Sequence, residues 1–151
     1  ASKIVERVSE LIRTEGRPIP GAVEFVGALG ELDLPLALCS SSPMPLILAV
    51  VSRFGYDDAF SVLQSADDCR EGKPSPEPYL ATAARLAISP SACLVFEDSV
   101  TGMRSAHAAG MTVVGVTESQ DEAVSELCLV RVASFERLGP EDVRAWLEGR
   151  E

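Results

Sequence analysis

The chain has 151 residues, 46% of them apolar and 24% charged, with a net charge of −10 at neutral pH. That length supports one domain with a real core, and no apolar run approaches the length of a membrane span. The acidic balance argues against nucleic acid, whose phosphates reward clustered Lys and Arg. Ile4, Val5 and Val8 are interleaved with Glu6, Arg7 and Glu10, which is unlike a signal peptide. The first residue is Ala1, not Met, so a start of the gene product upstream is expected. Cys39, Cys69, Cys93 and Cys128 show neither a pairing pattern nor metal-ligand spacing. A reduced, cytoplasmic protein with no membrane partner is expected.

Ile4, Val8, Leu11 and Ile12 fall on one face of an opening amphipathic helix, which Gly16 would stop. A connector over 17–21 leads to a second helix over 22–29. Strand and helix then alternate. Residues 34–39 form a short apolar run ending in a serine cluster, followed by a helix over 45–54 closed by Gly55. A strand over 60–64 comes next, then a helix to about residue 86 with Ser75 as N-cap and Pro76 at its first position. A strand over 92–96, a helix over 99–109 stopped by Gly110, and strands over 111–116 and 127–132 follow. The stretch around Asp121 and Glu122 reads as an exposed face or a helix start. A last helix over 140–147 carries Trp146. Continuous apolar strands separated by helices predict an α/β fold with a parallel sheet covered on both faces. Ligands of such folds bind at the carboxyl ends of the strands.

Three segments carry the chemistry. Cys39-Ser40-Ser41-Ser42-Pro43 joins a strand to a helix, where hydroxyls and free backbone N–H groups can hold an anion. The alternative is an ordinary polar turn with an N-cap serine. Gly72-Lys73-Pro74-Ser75-Pro76-Glu77-Pro78-Tyr79 holds one of only two lysines, against eleven arginines. Three prolines limit where its backbone can go, and an ammonium there could neutralise phosphate charge. The alternative is a solvated lysine in a turn. Phe96-Glu97-Asp98-Ser99 places adjacent acids at a strand end, pointing in opposite directions, so that one reaches a site while the other braces a loop. Magnesium favours such carboxylates. Helix capping by Asp98 or Ser99 is the alternative.

Taken together, the serine-rich strand end, Lys-Pro-x-Pro-x-x-Tyr and Glu-Asp-Ser-x-x-Gly resemble the haloacid dehalogenase superfamily. The resemblance is closer to its sugar-phosphate phosphatase and beta-phosphoglucomutase branch and runs from the first helix almost to the C-terminus. It implies a Rossmann-like core, a small phosphorylated substrate and Mg2+. It also implies that Ser40 binds phosphate with Ser41 and Ser42 beside it, and that Lys73 steadies the nucleophile and the transferred group. Asp98 then matches a magnesium ligand, and Glu97 a second ligand or an orienting carboxylate. Gly102 matches the glycine where the following helix nears the sheet. Residues 1–16 resemble the last helix of a helical cap, and 17–151 the core domain.

The family's opening strand ends in Asp-x-Asp-Gly, whose first Asp is the nucleophile and whose second is the general acid/base. The chain contains no such sequence: Asp57-Asp58, Asp67-Asp68 and Glu141-Asp142 have the wrong spacing and no apolar strand before them. In the family that strand lies between those matching 34–39 and 92–96. Its loss would leave two buried strand edges unpaired. An N-terminal segment, a second chain or a rearranged strand is therefore expected to complete the sheet, and the 151 residues alone are expected to be inactive and marginally stable. Alternatives are a phosphomutase, a truncated phosphate-binding module, and a haloacid dehalogenase proper, which would need no metal. His107 and Arg104 are expected at the surface, and Tyr79 and Trp146 in packing.

Overall fold

The computed structural model describes residues 2–149. It is an α/β structure with parallel strands flanked by helices. Helix α1 (Lys3–Glu15) packs on α3 (Met44–Phe54), and α2 spans Ala22–Leu29. Strand β1 (Ala37–Ser40) pairs in parallel with β2 (Val62–Ser65), in register Ala37 with Val62 and Ser40 with Ser65. Helix α4 (Glu77–Leu86) packs over both. Strand β3 (Leu94–Glu97) pairs with β4 (Thr112–Val116), and β4 with β5 (Val130–Val132), all parallel. Helices α5 (Val100–Ala108), α6 (Glu122–Leu127) and α7 (Pro140–Glu148) complete the fold.

Several boundaries shift for local reasons. The run predicted to pair from residue 34 does so only from Ala37, because Pro35 lacks an N–H and Leu34 is exposed. Ser61 N–H donates to Leu36 O at 2.8 Å, which closes the start of that ladder. The predicted last strand loses Leu127 to α6, whose N-cap Asp121 accepts from Ala123 N–H, and its ladder begins only at Val130. Helix α4 starts one residue late: Pro76 is its cap, and the Ser75 hydroxyl accepts from Glu77 N–H. Helix α3 begins at Met44 behind Pro43, with no side-chain cap, so the serines before it do other work.

Strand alternation sorts the core into two faces. Val95 of β3 joins Tyr79, Ala83, Met103 and Ala106, beneath α4 and α5. Leu94 and Phe96 pack the other way, against Phe25, Leu29 and Val143 of α2 and α7. Phe96 also touches Phe135 and Trp146, at ring separations of 6.0 and 6.2 Å.

The strands make two sheets, β1-β2 and β3-β4-β5, and β1 and β3 do not pair with each other. Between them lies a cavity of about 380 Å³, with β1 on one side and β3 on the other. Leu29 and Val143 close one face of it, and Tyr79 and Ala83 the other. Each residue of β1 is only half-buried, although 36–39 is wholly apolar. Apolar strands of parallel sheets are ordinarily covered on both faces and paired on both edges.

Candidate phosphate site at the carboxyl ends of β1 and β3

The three sequence segments converge where β1 and β3 end. The Lys73 side chain is 7% exposed and forms a buried ion pair with Glu97 Oε1. Its other two N–H groups donate to Cys39 O at 3.1 Å and to Tyr79 Oη at 3.2 Å. An ammonium has three donors, so all three are engaged. Lys73 thus ties the end of β1 to the last residue of β3.

The loop bearing Lys73 is held from outside the site. The Glu77 carboxylate accepts from Arg70 N–H at 2.9 Å and Glu71 N–H at 3.0 Å. These bonds, Arg70's first, hold its pKa below the usual Glu value. Ser105 Oγ donates to Ser75 O at 2.5 Å, fastening the loop to α5, and the Lys73–Pro74 peptide bond is cis.

Glu97 and Asp98 divide as alternation along a strand requires. Glu97 points inward and is 8% exposed. Its Oε1 accepts from Lys73 and from Tyr79 Oη at 2.6 Å, and its Oε2 from Ser99 Oγ at 3.3 Å. Asp98 is exposed, and its carboxylate makes no hydrogen bond or ion pair among the described residues. Between the two roles suggested for Glu97, these contacts fit an orienting carboxylate. No group of three or more His, Cys, Asp or Glu gathers to hold a metal among the described residues.

Gly102 explains how α5 approaches so closely. Its N–H is capped by Ser99 Oγ at 3.0 Å, and a Cβ there would lie 2.1 Å from Glu97 Cδ. Glu97 cannot swing away without leaving Lys73 and Tyr79. Gly102→Ala is therefore expected to destabilise the chain by about 1–3 kcal/mol through overpacking. A urea midpoint equal to that of the parent chain would contradict this.

Ser40 Oγ accepts from Ser42 N–H at 3.1 Å, which leaves the hydroxyl proton free to donate. Ser42 O accepts from Ser65 Oγ at 2.8 Å, tying the turn to β2, and Ser41 is exposed. Burial raises the pKa of the Cys39 thiol, which favours its neutral form.

Tyr79, expected only to pack, is a member of the site. It is 5% exposed, and burial, then Glu97, raises the pKa of its phenol, which keeps its proton and donates it. The signal was its place in Lys-Pro-x-Pro-x-x-Tyr, on the first turn of α4. His107 and Arg104 are exposed on α5, away from these contacts.

A buried lysine–carboxylate pair thus lies between a serine turn and an exposed aspartate, at the carboxyl ends of parallel strands, where α/β folds hold their ligands. The family model for haloacid dehalogenase-like hydrolases matches residues 2–110, and the chain belongs to that family. It is 40% identical over 109 residues to the putative phosphatase YhcW of Bacillus subtilis, covering 72% of this chain and 49% of the relative. It is 35% identical over 144 residues to hexitol phosphatase B of Escherichia coli K12, covering 93% of this chain and 64% of the relative. Among solved structures, CbbY from Rhodobacter sphaeroides in complex with phosphate superposes with a TM-score of 0.78 at 26% identity. That match covers 89% of this chain and 62% of the other. The chain thus spans less than two thirds of the length of each.

Proposed function

We propose that this chain is the core of a magnesium-dependent phosphohydrolase acting on small phosphorylated sugars or polyols. In this reading, a parallel strand seated between β1 and β3 supplies the nucleophilic aspartate. The observation that carries it is Lys73, bound to Cys39 O and to Glu97, which brings the serine turn and the Glu97-Asp98 strand end together beside the apolar cavity between β1 and β3. The two curated relatives described above are named phosphatases, which favours water over a sugar hydroxyl as the final acceptor.

Each group has a task in such a reaction. The Ser40 hydroxyl donates to a phosphoryl oxygen. Lys73 places positive charge where the attacking carboxylate and the phosphoryl group meet. Asp98, with its open carboxylate, would hold Mg2+, which neutralises charge on the phosphoryl oxygens. Glu97 pairs with Lys73 and keeps it aimed. The strand's first aspartate attacks phosphorus as the P–O bond to the alcohol breaks, and its second aspartate gives the leaving alcohol a proton and then takes one from the water that cleaves the acyl phosphate. As 151 residues without that carboxylate, the chain binds but does not turn over.

Binding is testable on the chain as it stands. Isothermal titration with inorganic phosphate should show Ser40→Ala binding about fivefold more weakly, the worth of one hydrogen bond. Equal affinity in parent and variant would remove Ser40 from the site.

A further inference from the structure

We infer that Tyr79 is a positioning residue that fixes the direction of the Lys73 ammonium. This rests on the proposed function only for what the ammonium is aimed at, since the geometry stands without it. The Tyr79 hydroxyl accepts from Lys73 Nζ at 3.2 Å and donates to Glu97 Oε1 at 2.6 Å. Lys73 also donates to that same Oε1. Ammonium, phenol and carboxylate thus close a ring of three mutual contacts. Lys73 Nζ lies 4.7 Å from the centroid of the Tyr79 ring, which adds a cation–π attraction to the hydrogen bond.

Such a ring does what an ion pair alone cannot. A lysine paired with one carboxylate oxygen rotates freely about its last carbon–nitrogen bond. With two N–H groups fixed by two side chains, tetrahedral geometry fixes the third. That third N–H points at Cys39 O, the carbonyl just before Ser40, at the mouth of the groove. Glu97 Oε1 and the phenol are side-chain acceptors locked by burial, whereas Cys39 O is a backbone acceptor beside the proposed phosphate position. The third N–H is therefore the one that turns to an incoming anion. Tyr79 determines that it is always the same one.

The sequence makes this measurable, because Lys3 and Lys73 are the only lysines. A chain labelled with 15N-lysine gives two ammonium signals, that of exposed Lys3 serving as internal control. Tyr79→Phe keeps the ring and removes the hydroxyl. Proton exchange at Lys73 Nζ should accelerate about fivefold, matching one lost hydrogen bond, with Lys3 unchanged. Packing alone would leave the Lys73 signal where it was, and an unmoved signal overturns the inference. If the variant does not fold, fluorotyrosine at Tyr56 and Tyr79 of the parent chain replaces it. A stronger phenol donor must then shift Lys73 and not Lys3, and an unshifted Lys73 likewise overturns the inference. Titrating inorganic phosphate into both samples separates the two readings. Absence of phosphate binding in either counts against the proposed function, while the lysine signals still decide the role of Tyr79.

Discussion

Lys73→Met should cost the fold about 3–5 kcal/mol, because it leaves a buried carboxylate without its counter-charge. The side chains of Lys73 and Glu97 are 7% and 8% exposed, so water cannot take the place of the missing ammonium. Methionine preserves the aliphatic stem, which isolates the charge from packing. Tyr79 and Ser99 would remain as donors to Glu97, but neither carries charge. A domain is typically stable by only about 5–15 kcal/mol, so this one change would consume a large share of the total. Adding Glu97→Leu to Lys73→Met should recover most of the loss, since no unpaired charge is then buried. Urea denaturation of both single variants and the double variant measures the coupling. A single variant within about 0.5 kcal/mol of the parent, the range of ordinary surface changes, would show that the pair is solvated.

Seating a strand in the groove should have the second large effect. The facing edges of β1 and β3 carry backbone groups that no strand pairs, and the cavity between them is lined by Leu36, Leu38, Val95 and Phe96. An extended apolar segment there would pair both edges and bury its side chains against α2, α7 and α4. Each fully buried aliphatic side chain contributes about 1.5–3 kcal/mol, against about 1–2 kcal/mol of backbone entropy per residue fixed. A soluble peptide of five β-branched residues ending in Asp-x-Asp, with lysines at its start, is a suitable probe. At 100 times its dissociation constant it should stabilise the chain by about 2.7 kcal/mol, by mass action. Amides of Ala37–Ser40 and Leu94–Glu97 should gain hydrogen-exchange protection at the same time, while a peptide with proline at its centre should do neither. Slow exchange along both edges in the free chain, with no response to the peptide, would mean that the groove is not a strand receptor.

Much of this fold is legible in the sequence. Gly55 and Gly110 take positive φ at the helix ends where periodicity stops, and Ser99 caps α5. The alternation of apolar runs and amphipathic segments is local, and so is its signal. The direction of Glu97 relative to Asp98 follows from strand geometry, but which of them turns inward depends on α5 and Gly102. Tyr79 packs in the core as its sequence suggests, but its bond to Glu97 is not legible there, because it joins residues 18 apart. The start of β1 is not legible in the sequence because Leu34 and Pro35 extend the apolar run without extending the ladder. The split sheet is visible only as a missing motif in sequence, and as half-buried apolar strands in the structure.

The most direct test of the account is phosphate release from hexitol phosphates by the 151-residue chain with millimolar magnesium, alone and with the Asp-x-Asp strand peptide bound. The expected result is no turnover by the chain alone, and turnover that appears with the peptide and is lost when its first aspartate is replaced by alanine. Turnover by the 151 residues alone would contradict the account, because it would place a nucleophile within the chain where none is assigned.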